Sequence, residues 1–140
     1  DVAAAMSLVH ERGLPTPWLV GWSFGTELAL KYGRDHDIEG VILLSPPLHR
    51  TSDAEVAAWA DDPRPVIAMI PEHDDFLQPE AARERFASAP NIELIPVAGA
   101  RHLWVGENST RVVLDEIVRR LNSAASPLPT EWDETVHSSF

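Results

Sequence analysis

The sequence predicts an α/β protein: a mostly parallel sheet with helices on both faces. Three observations predict it. Short apolar runs alternate with helix-forming stretches along most of the chain, and such alternation builds βαβ units. One run, Ile38 to Ser45, has a centre, Val41-Ile42-Leu43-Leu44, with no polar alternate, as a strand covered on both faces requires. Reactive side chains stand just after the apolar runs, and open parallel sheets bind ligands at the carboxyl ends of their strands.

The elements follow in order. Residues 1 to about 12 have helix composition, with Val2, Met6 and Val9 on one face and Gly13 as a stop. Leu14-Pro15-Thr16-Pro17 is a connection, and 18–22 is a strand. A sharp turn leads to a helix ending near Gly33. After the polar Arg34-Asp35-His36-Asp37 comes the apolar strand, which Pro46-Pro47 ends. Thr51-Ser52-Asp53 suits the cap of a short helix reaching about Trp59, and Asp61-Asp62-Pro63 breaks it. Val66 to Ile70 is the third strand, with 71–76 a loop. Pro79 suits the first turn of a helix running to about Ala87. Ile92 to Val97 is the fourth strand, and 99–104 a loop. Thr110 is the expected cap of a last helix that buries Val112, Val113, Ile117, Val118 and Leu121.

A chain of 140 residues, 44% of them hydrophobic, makes one domain. The expected folded part is 1–122; residues 123–140, polar and bearing Pro127 and Pro129, are expected to be mostly disordered. The net charge of −11 disfavours nucleic acid and anionic membrane surfaces as partners. No apolar run approaches the ~20 residues of a membrane span. Nothing at the start resembles a signal peptide, and the absence of cysteine removes disulfides, zinc–cysteine sites and thiol nucleophiles. A cytoplasmic setting is the default expectation. Oligomeric state has no signal in the sequence. The chain opens on Asp1 within helix-like sequence, which fits an excised or incomplete chain.

The chain is organised around Pro17-Trp18-Leu19-Val20-Gly21-Trp22-Ser23-Phe24-Gly25: an apolar strand, a tight turn and a helix start. Gly-x-Ser-x-Gly in that context has the spacing of a nucleophile elbow, which pushes a serine hydroxyl out of the sheet. The corner brings backbone close to backbone, so a side chain at either flanking glycine is expected to collide. Ser23 follows the first strand, Ser45 the second, His73-Asp74-Asp75 the third and His102 the fourth. A serine, an acid and a histidine thus come from three strand ends on one rim. A serine hydroxyl needs an imidazole as base, and the imidazole needs a carboxylate to hold its tautomer. By position after the third strand, the acid is Asp74 or Asp75. No pair among His10, His36, His49, His73 and His137 has the helix spacing typical of a metal site, so no metal is expected. Trp22, Leu48, Leu77 and Trp104, near the strand ends, are candidates for an apolar substrate pocket or for core.

Three segments, Gly21-Trp22-Ser23-Phe24-Gly25, Glu72-His73-Asp74-Asp75-Phe76-Leu77 and Ala98-Gly99-Ala100-Arg101-His102-Leu103-Trp104, resemble the signature segments of the α/β-hydrolase superfamily in order and context. The resemblance covers about residues 1–121. It implies Ser23 as nucleophile, Asp74 as triad acid, His102 as general base and the Phe24 backbone N–H as one oxyanion donor. It implies a serine hydrolase acting on a small-molecule carboxylic ester or similar acyl bond, without a cofactor. A thioesterase, amidase or perhydrolase would use the same residues, and a non-catalytic binding domain on a hydrolase fold is the reading from another class. Aspartate-nucleophile relatives are disfavoured by Ser23. The superfamily sheet resembles eight strands, whereas four are visible here, so the chain looks like the C-terminal half, and the loop giving the second oxyanion donor belongs to the part before the elbow. An oxyanion donor contributes ~3–4 kcal/mol, so this half alone is expected to be crippled and to show an unpaired sheet edge. The short span between Ser45 and Val66 has room for no cap domain, as in the small, uncapped members.

Overall fold

The computed structural model describes residues 2–131. Along them run α1 (Val2–Glu11), β1 (Trp18–Trp22), α2 (Phe24–Tyr32), β2 (Gly40–Leu44), α3 (Asp53–Ala57), β3 (Val66–His73), α4 (Pro79–Arg85), β4 (Glu93–Arg101) and α5 (Glu107–Leu121). The four strands form one parallel sheet in the order β1-β2-β3-β4. Trp22 stands beside Leu44, and Leu44 beside Met69, so the carboxyl ends of the strands share one rim.

The two-residue repeat of a strand divides the core. Val41, Leu43, Val66, Ala68 and Ile70 face one way, onto Ala29 and Leu30 of α2, Val56 of α3, Ala82 of α4, and Trp59 and Phe86. Ile42, Leu44, Ile67 and Met69 face the other way, onto Val113 and the flanking Ile117 of α5 and onto Trp104. The sheet is thus covered on both faces, which is why β2 is buried throughout and reads as an unbroken apolar run. Trp59 is fully buried and donates its indole N–H to the Leu30 carbonyl at 2.9 Å, satisfying its polar atom inside the core.

Local rules account for the helix starts. Ser52 and Glu55 close a capping box on α3, and Pro79 opens α4 at a position where no N–H is needed. α5 begins at Glu107, a turn before the expected Thr110 cap; Thr110 instead donates its hydroxyl to the Trp104 carbonyl at 3.0 Å. The largest departure is at the rim. β3 runs on to His73 and β4 to Arg101, through segments expected to be loops. Pro71 has no N–H to give, and the ladder shifts register between Pro71 and His73 before resuming at His73 beside Arg101. Gly99, at φ +69°, turns β4 there and donates its N–H to Glu72 at 2.7 Å.

The segment after α5, expected to be disordered, is held in its described part. A 3₁₀ turn spans Ser123–Ala125. Arg111 donates to the carbonyls of Leu128 and Pro129, and Asp115 accepts the Leu128 N–H. Residues 132–140 of the expected tail lie outside the described residues. No helix among the described residues is long and apolar enough to cross a membrane.

Candidate active site

The rim is built from strained corners. Among the described residues, the non-glycine residues with positive φ are Ser23 (51°), Ser45 (50°), Leu48 (53°) and Trp104 (54°). Ser23 and Ser45 directly follow β1 and β2, Leu48 lies in the loop after β2, and Trp104 in the loop after β4. Such backbone is costly and persists only where surrounding structure holds it, which is typical of functional sites. At Ser23 the holding groups are clear. Its N–H donates to the Leu44 carbonyl at 2.9 Å, and its carbonyl accepts both the N–H and the hydroxyl of Thr26.

Of the two elbow glycines, one is required by space. A Cβ on Gly21 would lie 2.5 Å from the Gly25 carbonyl oxygen and 2.8 Å from the Thr26 nitrogen. A Cβ on Gly25 would meet nothing within 4 Å, so the expected collision at both flanks is corrected to Gly21 alone: the second glycine has turned into the helix and faces outward.

Ser23 Oγ lies 2.8 Å from His102 Nε2, and His102 Nδ1 lies 2.9 Å from Asp74 Oδ2. A carboxylate only accepts, so Nδ1 carries the proton and donates to Asp74, leaving Nε2 to accept from the serine hydroxyl. The second Asp74 oxygen accepts the N–H groups of Phe76 (2.8 Å) and Leu77 (3.1 Å). Asp74 and His102 are buried, 3% and 7% exposed, whereas Asp75 is exposed. Of the two carboxylates, Asp74 is therefore the one that meets His102. The rim extension of β3 and β4 explains the meeting: each strand releases its reactive residue one step past its last paired position.

Phe24 is the first residue of α2, where a helix leaves its N–H without an intrahelical acceptor. Its ring is half-exposed. Beside it is an open recess of about 380 Å³ lined by Ser23, Phe24, Glu27, Pro47, His49, Arg50 and Phe76. None of the four apolar residues offered as pocket lining or core lines this recess. Leu48 and Leu77 are buried in the core under the rim. Trp104 is buried against α5, and Trp22, half-exposed, borders a separate shallow groove with Trp104. Leu48 and Leu77 thus pack the core, Trp22 and Trp104 line that neighbouring groove, and the recess beside Ser23 is walled by Phe76 and Phe24. Phe76 meets the His102 ring edge-on at 4.7 Å, and His49 meets Phe76 at 5.1 Å.

Two further residues had no distinguishing signal in the sequence. Glu27 lies on a helix among apolar neighbours, yet its buried carboxylate accepts the N–H groups of His49 and Arg50 and faces the Thr51 hydroxyl. Arg85 donates to the carbonyls of Leu48 and Thr51 from the other side. Together they fix the loop that walls the recess. No group of three or more His, Cys, Asp or Glu among the described residues could hold a metal ion.

No protein-family model matches the sequence, and no curated protein matches it either. Solved structures do. An α/β serine hydrolase homologue from Coxiella burnetii superposes with a TM-score of 0.71 at 21% identity, over 86% of this chain and 57% of that one. This chain has the α/β-hydrolase fold. A lidless α/β serine hydrolase from Xanthomonas campestris gives 0.67 at 22% identity, over 86% and 55%, and an esterase domain from Rhodothermus marinus gives 0.68 at 17%, over 86% and 68%. The chain thus spans a little over half the length of the first two. Ser23, Asp74 and His102 each directly follow a strand at the carboxyl rim of the sheet, where open parallel sheets bind their ligands.

Proposed function

We propose that the chain belongs to a serine hydrolase that cleaves a carboxylic ester or a similar acyl bond of a small molecule. The observation that carries this reading is the unbroken line of hydrogen bonds from Ser23 Oγ through His102 to Asp74. Ser23 Oγ attacks the acyl carbonyl carbon as His102 Nε2 takes its proton. Asp74 holds the imidazole in the tautomer that can accept that proton and stabilises the imidazolium that forms. The tetrahedral oxyanion is stabilised by the Phe24 N–H at the start of α2, where the helix dipole also favours negative charge. His102 then returns the proton to the leaving oxygen, giving an acyl-enzyme on Ser23. Water, deprotonated by His102, attacks it and releases the acid. No step calls for a cofactor.

The recess beside Ser23 is open and edged by Phe24 and Phe76, which suits modest or exposed acyl groups. The test is intact-mass spectrometry of the full-length gene product after treatment with a fluorophosphonate, with Ser23→Ala as control. The expected result is one adduct that Ser23→Ala abolishes. A folded wild type that takes no adduct would overturn the reading and leave a binding role for the fold.

A further inference from the structure

The strand order sets a problem for the base. β4 is the far edge of the sheet from β1, so the loop carrying His102 must arch over the ends of β3 and β2 to meet Ser23. Asp74 fixes the imidazole through Nδ1, but this does not fix the backbone from which the ring hangs. Two donors do. The Ser45 hydroxyl donates to the His102 carbonyl at 3.0 Å, and the Trp22 indole N–H donates to the same oxygen at 3.2 Å.

We propose that Ser45 and Trp22 are positioning residues that set the reach of His102 to Ser23, by tying the His102 carbonyl to the ends of β2 and β1. This rests on the hydrolase reading for its kinetic consequence, though not for its structural one. Trp22 is covalently next to the nucleophile. Ser45 follows Leu44, whose carbonyl accepts the Ser23 N–H. The nucleophile and the carbonyl of the base are thus anchored to the same two strand ends, by a path one or two residues long. Without it the path runs the whole length of the β4 pairing.

The geometry is specific to that role. Ser45 is 1% exposed and sits at φ 50°, a conformation that serine adopts only against strain. Its own N–H is held by the Met69 carbonyl at 3.1 Å, so the strained corner is fixed and the hydroxyl is aimed at one acceptor. Trp22 keeps its ring half-exposed at the last position of β1, a poor place for an indole unless its N–H is used. The sequence offered Trp22 as pocket lining or core; its indole N–H ties it to the His102 carbonyl as well.

Displacing a reacting group by about 1 Å costs on the order of 10²-fold in rate. The test uses Ser45→Gly, Trp22→Phe and the double variant in the full-length gene product. Glycine accepts a positive φ, so it removes the hydroxyl without new strain. Phenylalanine keeps a ring and removes the N–H. Two readouts are taken: the downfield proton resonance of the His102 Nδ1–H bonded to Asp74, and the rate of fluorophosphonate attachment to Ser23 together with kcat and KM on an activated ester, per titrated site. Each single variant is expected to lose up to about tenfold in rate and the double about 10²-fold, in kcat with KM nearly unchanged, and the downfield resonance should broaden or vanish in the double. Rates and resonance equal to wild type in the double variant would overturn the proposal. Should the double variant fail to fold, the single variants decide by the same two readouts. A wild type that is unreactive at Ser23 sinks the hydrolase reading alone; the resonance then decides the positioning role by its loss or persistence.

Discussion

Replacing the two elbow glycines with alanine should have opposite effects, although the motif treats them alike. A methyl on Gly21 would lie 2.5 Å from Gly25 O, 2.7 Å from Gly25 C and 2.8 Å from Thr26 N. Ordinary contact begins at 3.4 Å, so the gap must open by 3.4 − 2.5, or about 0.9 Å. All three obstacles are backbone, and none can rotate away. β1 cannot yield, because residues 18–22 are locked in register with 40–44. The displacement therefore falls on Ser23 and Phe24, which join strand to helix. Overpacking of this kind costs about 1–3 kcal/mol, and a ~1 Å shift of the nucleophile costs about 10²-fold in rate. Gly25 has open space around its Cβ position and lies in the first turn of α2; alanine there should gain about 0.5–1 kcal/mol of helix preference. Urea denaturation and the rate of fluorophosphonate attachment measure both. Gly21→Ala should lose stability and labelling, and Gly25→Ala should keep labelling with unchanged or higher stability. Equal losses at both positions, or none at Gly21, would refute the crowding argument.

Asp74→Asn should lower kcat by about 10⁴-fold by losing the tautomer control of His102, and Asp75→Asn, on an exposed side chain, should change it less than about threefold; ester turnover measures both. The hydrogen bond from Arg64 holds the Asp62 carboxyl down, from 3.8 to about 2, against a smaller opposing effect of burial. A lowered folded-state pKa contributes stability above pH 3.8 that is lost as pH falls toward 2; 1.8 units correspond to about 2 kcal/mol. Asp62→Asn should therefore cost about 2 kcal/mol at neutral pH and little near pH 2, read from denaturation at each pH. Glu27→Gln presents an amide NH₂ where a carboxylate oxygen accepts backbone N–H groups, so it should destabilise by about 1–3 kcal/mol, measured by thermal or urea unfolding.

The fold was legible because its signals are local. β1 is bounded by Pro17 and the elbow. β2 is apolar on both faces, and Ser52 and Pro79 carry capping chemistry that depends on neighbours only. That Ser23, Asp74 and His102 would come together was legible because each stands within a few residues of a strand end. What stayed hidden depends on contacts between distant residues. The continuation of β3 past Pro71 could not be read, since proline argues for a break and the register shift that accommodates it is a property of the pair. Leu48, Leu77 and Trp104 look the same in sequence whether they line a recess or fill a core; the helices α2 and α4 and the face of α5 decide which. Glu27 has the composition of a helix surface, and only the loop from Leu48 to Thr51 folding over it makes it a buried acceptor.

The distribution of strain follows from the sheet order. In a sheet whose spatial order equals its chain order, the three groups of the site start one, three and four strands along. A straight exit from each strand would leave Ser23 and His102 three strand spacings apart, about 14 Å at ~4.8 Å per pairing, against the 2.8 Å observed. The chain closes that distance by bending, and the bends are where the positive φ values lie: Ser23 turns β1 back into α2, Ser45 turns the end of β2 beneath the histidine loop, and Trp104 turns that loop back toward α5. β2 contributes no reactive group to the line from Ser23 to Asp74, yet its end is strained like that of β1. Its hydroxyl at Ser45 touches the His102 carbonyl, which gives that strain a purpose: the strand between those that carry Ser23 and Asp74 serves as the support over which His102 is drawn.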